Sequence, residues 1–225
     1  MKTGEGAVQE LYFDGIAAAR ITCPNGLIPA AGQYLLAEAI LERPFILPVP
    51  IFTAGPADGG FLAAFPFPTS WHPGTSLSLR GPLGNGFNLP AASRSVALVS
   101  FGDTVQRLAA LIAPAIAQDA AITMISAQPP TGLPNAVEIM PIESLPEALR
   151  WADYIALDMP REMVPSLPNL LPINGIVCTA QVLLTSPMPC GGRGDCGVCA
   201  VTVKRGYKLI CKDGPVFDLK PFLQT

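Results

Sequence analysis

The sequence predicts a chain of mixed β and α/β class, made of short strands in a small barrel or sandwich, then a small α/β unit, then a cysteine-rich tail. Three observations predict it. The 225 residues include 25 prolines and 21 glycines, which disfavours a helical bundle and favours short strands and turns. The middle of the chain alternates continuous apolar runs with a helical pattern, the signature of strand–helix–strand order around a parallel sheet. Four of the six cysteines, Cys190, Cys196, Cys199 and Cys211, crowd the C-terminal end.

The elements follow in order. Residues 1–92 are apolar or alternating runs cut by Pro and Gly: VQELYFDGIAAARITC, GQYLLAEAIL, FILPVPIF, FLAAFPF and SLSLRGPLG. Strands at this spacing suggest a small barrel or sandwich. Gly84-Asn85-Gly86 marks a tight turn. Residues 93–172 change character. SVALVSF reads as a buried parallel strand. Asp103 stands as N-cap of a helix over DTVQRLAALIAPAIAQ, whose apolar face is Val105, Leu108, Leu111, Ile112 and Ile116. Pro114 kinks that helix or ends it early. AITMISA is a second strand, Glu143 to Trp151 a short helix, and DYIALDM a third strand. Residues 173–225 hold the cysteine group, with VCTAQVLL and CAVTVK as short strands around it.

Composition excludes several function classes. Half the residues are apolar and 14% are charged, against roughly 25% in an ordinary domain. Such a chain builds a core and leaves apolar surface for a partner. The net charge is −3, so there is no general electrostatic reason to bind nucleic acid or an anionic membrane. The one histidine, His72, leaves no raw material for a Ser-His-Asp triad, an H-E-x-x-H zinc site or a Rieske cluster. It reads as a residue of a surface turn. No run makes a membrane span: Leu108 to Ala127 is the best, and it carries Pro114, Gln118 and Asp119. The N-terminus has no signal-peptide pattern, so the expected compartment is the cytoplasm.

In a reducing compartment a dense cysteine group reads as a metal site before a disulfide framework. The spacing is C-x5-C-x2-C-x11-C. A zinc ribbon brings two C-x2-C knuckles, and here there is one, Cys196–Cys199. A long first loop, then C-x2-C, then a distant fourth cysteine is close to the plant-type [2Fe–2S] pattern, whose first gap is one residue shorter. Gly191, Gly192, Gly194 and Gly197 let the backbone pass near a cluster and turn N–H groups toward sulfur. The alternative is a zinc knuckle holding a flap. Cys23 and Cys178 read as ordinary buried thiols.

These residues carry a family resemblance. Gln181-Val182-Leu183-Leu184, Met188-Pro189-Cys190-Gly191, Cys196-Gly197-Val198-Cys199-Ala200-Val201 and Cys211-Lys212-Asp213-Gly214-Pro215-Val216-Phe217 occur in this order. The tail resembles the iron–sulfur domain of the electron-transfer subunit of class 1B dihydroorotate dehydrogenase. The resemblance implies a [2Fe–2S] cluster with Cys190, Cys196, Cys199 and Cys211 as ligands. Gly32-Gln33-Tyr34 and Gly81-Pro82-Leu83-Gly84-Asn85-Gly86-Phe87 resemble segments of the family's flavin barrel, and Asp153-Tyr154-Ile155 the strand before its C-G-P motif. The implied plan is a ferredoxin-reductase-like flavin domain (a small antiparallel β-barrel), a degenerate Rossmann-like α/β domain and a C-terminal [2Fe–2S] domain.

The departures shape the expected cofactors. Arg43-Pro44-Phe45 stands where the family holds FAD with R-P-x-S/T, so Arg43, Pro44 and Phe45 are the implied flavin contacts. Ile46 replaces the hydroxyl residue, and FPFPTSWHPGTS has no G-x-G-T, which leaves FAD binding open. The family's glycine-rich nicotinamide turn is Ser100-Phe101-Gly102-Asp103-Thr104-Val105 here, with a carboxylate where a pyrophosphate would sit. Asp158-Met159-Pro160 stands for C-G-P. NAD is therefore not an expected cofactor. The implied function is an electron-transfer subunit, hetero-oligomeric with a catalytic flavoenzyme of the dihydroorotate dehydrogenase type in pyrimidine biosynthesis. The alternative is a non-catalytic interaction subunit whose four-cysteine site, with cluster or zinc, only stabilises the fold. Autonomous NADH oxidoreductase activity is not expected.

Overall fold

The computed structural model describes residues 1–40, 47–102, 104–171, 176 and 178–223. The expected flavin contacts Arg43, Pro44 and Phe45, with Ile46, and the expected N-cap Asp103 lie outside them.

The first region closes into an antiparallel barrel. Its strands are β1 (Lys2–Tyr12), β2 (Ala18–Thr22), β3 (Tyr34–Ala39), β4 (Val49–Ala57), β5 (Gly60–Ala64) and β6 (Ser76–Leu83). They run in the order β1-β2-β5-β4-β3-β6, and β6 pairs back onto β1. Of the two architectures the sequence leaves open, the barrel is the one formed. Alternation drives it: in β6, Leu77 and Leu79 face inward while Ser76 and Ser78 face out. The interior is filled by Val8, Ile21, Leu35, Ile51, Phe61 and their neighbours. Strand β3 is buried on both faces. Leu35 and Ala37 join the barrel interior, whereas Tyr34 and Leu36 join the core shared with the rest of the chain. That double burial explains the unbroken apolar run YLLA.

The second region forms a parallel sheet. Strands β7 (Ser95–Ser100), β8 (Ala121–Ser126), β9 (Val137–Pro141), β10 (Tyr154–Pro160) and β11 (Thr179–Thr185) are followed by the hairpin β12 (Ala200–Val203) and β13 (Gly206–Leu209), and then by β14 (Val216–Asp218). The sheet order is β14-β11-β10-β7-β8-β9, with β14 antiparallel at the edge. Residues of the tail thus complete the sheet. In register, Tyr154 of β10 lies opposite Val96 on one side and Thr179 on the other.

The helix expected over residues 103–118 is instead two short helices, α1 (Gln106–Ala109) and α2 (Ile112–Ala117). Pro114 explains the break. Its ring crowds the carbonyl four residues back, at Ala110, and it has no N–H to donate there. Val105, Leu108, Leu111 and Ile112 are buried as expected, but Ile116 is 41% exposed. Helix α3 (Leu145–Trp151) covers the sheet, followed by the one-turn helices α4 (Leu167–Leu170) and α5 (Ile210–Asp213). Among the described residues no helix is long and apolar enough to cross a membrane. His72 is exposed in a turn, its backbone N–H donating to Thr75 Oγ1 at 3.1 Å.

Candidate iron–sulfur site and the adjoining cleft

After β11 the chain leaves the sheet edge and winds through residues 186–199 as an irregular loop. Gly191, Gly192, Gly194 and Gly197 have φ of 61°, 75°, 78° and 71°, in the left-handed region that other residues avoid. Two of them also make room for the barrel. A Cβ on Gly191 would lie 2.8 Å from Arg80 Nη2, and one on Gly192 would lie 2.9 Å from the Tyr34 hydroxyl. The Arg80 guanidinium donates to the Gly191 carbonyl. The buried Tyr34 hydroxyl donates to the Cys211 carbonyl at 3.0 Å. The expected turn at Gly84-Asn85-Gly86 ties the barrel's end to the same tail. Asn85 N–H donates to Gly214 O at 2.7 Å and its side-chain amide to Asp213 O at 2.8 Å.

The four cysteines converge on this loop. Cys190 and Cys196 present sulfurs within 4.8 Å of each other. Cys211 N–H lies 3.5 Å from Cys199 Sγ. Burial raises the Cys211 thiol, the Cys199 and Cys190 sulfurs beside it raise it further, and it is pushed up to about 12. Such crowding of would-be thiolates is what a cation or cluster relieves. At Cys190 burial opposes the thiolate, but the Gly194 N–H, the Cys196 thiol and the N–H groups of Asp195 and Arg193 outweigh it and bring it down to about 7. These loop N–H groups are the donors that a cluster's sulfurs need. Cys199 and Cys211 are buried, and Cys196 is where the site meets solvent.

The Asp195 carboxylate also lies within 4.8 Å of the Cys190 and Cys196 sulfurs. It is paired with Arg193 at 3.2 Å, and a hard oxygen is a poorer match to an iron–sulfur site than four thiolates. Cys23 is buried in the barrel core as expected. Cys178 is only half-buried, because it precedes β11 at the rim of the sheet.

A cleft of about 510 Å³ separates the barrel from the C-terminal ends of β7, β10 and β11. Phe52, Phe65, Pro66, Thr104, Arg107 and Pro187 are among its walls. Behind it Arg107 Nε donates to Asp158 Oδ2 at 2.8 Å, with Asp158 fully buried. Burial pushes the Asp158 carboxyl up, and the guanidinium opposes that push. Sequence reasoning singled out neither Tyr34, Arg80 nor Arg107 as a site residue. The one available signal was Asp158, a carboxylate inside the apolar run YIALDM.

The barrel, the parallel sheet and their connection define a ferredoxin-reductase-like fold. The chain superposes on an NADH-dependent reduced ferredoxin-NADP oxidoreductase, described for flavin-based electron bifurcation, with TM-score 0.70 and 17% identity over 98% of this chain and 93% of that one. It superposes on the ferredoxin reductase of carbazole 1,9a-dioxygenase with TM-score 0.59 and 19% identity, over 78% and 64% of the two chains. A ferredoxin NADP+ reductase from Neisseria gonorrhoeae, with bound FAD and NADP, gives TM-score 0.53 and 13% identity over 76% and 90%. The tail is more particular. Residues 186–222 match the family described as the iron–sulfur cluster binding domain of dihydroorotate dehydrogenase B. No curated protein matches the chain. The protein therefore carries an iron–sulfur domain of the dihydroorotate dehydrogenase B type on a ferredoxin-reductase-like body.

Proposed function

We propose that this chain is an electron-transfer subunit whose tail holds a [2Fe–2S] cluster on Cys190, Cys196, Cys199 and Cys211. The observation that carries this reading is the convergence of the four thiols on a glycine-built loop that aims N–H groups at Cys190. Such a cluster takes up and releases one electron at a time. The chain's own residues do the rest. The loop N–H groups stabilise the thiolate form of Cys190. Tyr34 and Arg80 hold the loop against the barrel, and burial of Cys199 and Cys211 keeps water from half of the site.

The partner we assign is a catalytic flavoenzyme subunit of the dihydroorotate dehydrogenase type, which oxidises dihydroorotate to orotate, in a hetero-oligomer. The match of residues 186–222 supports that choice. The proposed units are the barrel (1–92), the α/β domain (93–172) and the cluster domain (173–225).

The α/β domain is assigned no dinucleotide. A pyrophosphate needs backbone N–H groups at the start of a helix, and among the described residues the first helix after β7, α1, has four residues. Ser100 Oγ instead donates to the Thr104 carbonyl at 2.6 Å, closing the loop on itself.

The test is an anaerobic visible spectrum before and after dithionite, with iron and sulfide assays, on the chain and on Cys199→Ser. A bleachable spectrum with about two irons and two sulfides per chain, lost in the variant, is the expected result. A colourless protein holding zinc, even when produced with ample iron, would overturn it.

A further inference from the structure

Long-range donors hold the cysteine loop at three of its four ligand positions. Arg80 donates to the Gly191 carbonyl, beside Cys190, and Tyr34 donates to the carbonyl of Cys211 itself. Both come from the barrel. The third donor comes from the parallel sheet. Arg161 Nη1 donates to the carbonyl of Val198, the residue between Gly197 and Cys199. Arg161 follows directly on Pro160, the last residue of β10, and opens a short 3₁₀ helix, Arg161–Ser166. A buried strand therefore fixes its backbone, while its guanidinium reaches across 37 positions of sequence to the Cys196–Cys199 turn.

Packing does less to close that side. Arg161, Val164 and Pro165 face Ala200, Val201 and Thr202 across a cavity of about 470 Å³. The Val198 side chain is 44% exposed and does little to anchor the turn. A charge-assisted hydrogen bond from Arg161 spans the gap instead. The charge also lies close to the sulfurs. Val198 O and Cys199 N belong to one peptide group, so covalent dimensions place the guanidinium within about 10 Å of Cys199 Sγ. Its side chain is 28% exposed, and Glu162, paired with Nη2 at 3.2 Å, is 61% exposed. Water screens the carboxylate more than the guanidinium, so the net field of the pair at the site is positive.

We propose that Arg161 is a positioning residue of the cluster site: it pins the Cys196–Cys199 turn to the end of β10, and its charge favours the reduced cluster. This rests on the electron-transfer reading. Uptake of one electron makes a cluster and its four thiolates one charge more negative, so a fixed cation nearby stabilises the reduced form over the oxidised one. At about 10 Å, with an effective dielectric constant of about 20, Coulomb's law makes that preference about tenfold. Glu162 works against it from the solvent side. Arg161 thus links two things that are separate at Tyr34, whose hydroxyl supports the loop without a charge: the geometry of the turn and the potential of what the turn holds.

The experiment is a redox titration of the cluster-loaded full chain, followed by visible absorbance and electron paramagnetic resonance, together with the rate of iron loss to EDTA. The variants are Arg161→Met, which removes donor and charge, Arg161→Lys, which keeps the charge and loses the fork, and Glu162→Gln, which removes the opposing charge. In Arg161→Met the preference for the reduced cluster should weaken about tenfold, a fall of about 59 mV for one electron, and iron loss should quicken at least threefold. Arg161→Lys should restore most of the potential. Glu162→Gln should raise it, with iron loss unchanged. Failure of Arg161→Met alone to take up a cluster would support the positioning role, and Glu162→Gln, which alters only an exposed side chain, would then decide the electrostatic one. A parental potential in Arg161→Met, or no rise in Glu162→Gln, would overturn the electrostatic role. Unchanged iron loss in Arg161→Met would overturn the positioning role. A parent chain without iron and sulfide would instead sink the electron-transfer reading.

Discussion

Replacing Asp158 by alanine should be among the most damaging single substitutions in the α/β domain. Asp158 is 0% exposed and accepts the Arg107 Nε–H at 2.8 Å, while Arg107 itself is 8% exposed. Removing the carboxylate leaves a guanidinium in the protein interior with no counter-charge. Breaking a buried pair in this way costs about 3–5 kcal/mol, far more than the pair's net worth against apolar side chains. For a chain of this size each kcal/mol moves Tm by about 2–4 °C, so Asp158→Ala should lower Tm by about 6–20 °C. Asp158→Asn keeps an acceptor for Nε and should lose less. Arg107→Met with Asp158→Leu removes both desolvated charges, and its stability should return to within about 1 kcal/mol of the parent or exceed it. The assay is urea and thermal unfolding followed by circular dichroism, with coincidence of near- and far-ultraviolet transitions as the check on two-state behaviour. A loss under about 1 kcal/mol in Asp158→Ala, or a double variant no more stable than the single, would refute the argument that an uncompensated buried charge is the penalty.

Two further outcomes follow from the cysteine site. Tyr34→Phe removes the hydroxyl that the barrel donates to the Cys211 carbonyl, and it should cost about 1–3 kcal/mol and speed iron loss to a chelator; unchanged stability and unchanged chelation would show that the 3.0 Å contact is not a support. In the cluster-free chain, Cys190 should be the first of the four thiols alkylated by iodoacetamide. Its folded value is lowered to about 7, so the thiolate is favoured as pH rises through 7, and its contribution to stability is present above the ordinary thiol range and lost as pH falls through about 7. Cys211, pushed up to about 12, should stay unreactive across that window, and equal labelling of the two by mass spectrometry would contradict the arrangement.

Much of the architecture was legible because it leaves local traces. The strand patterns of SLSLRGPLG and SVALVSF became β6 and β7, since alternation and continuous apolarity report burial on one face or on two. The regular apolar spacing over residues 103–118 predicts one helix. The steric demand of Pro114 on Ala110 outweighs that spacing and splits it. The pattern of VCTAQVLL predicts a strand, but only the β10–β11 register shows that it extends the parallel sheet instead of standing apart with the cysteines.

The sequence by itself determined the order of the regions and the group of four cysteines, because spacing and glycine content are local properties of the chain. Only the tertiary structure decided what supports and what adjoins that group. Tyr34 reaches Cys211 across 177 positions, Arg80 reaches Gly191 across 111, and Arg107 reaches Asp158 across 51. Such contacts have no period. They exist because closing a barrel and twisting a sheet against it brings distant strands to one place, where buried polar groups must find each other or a ligand.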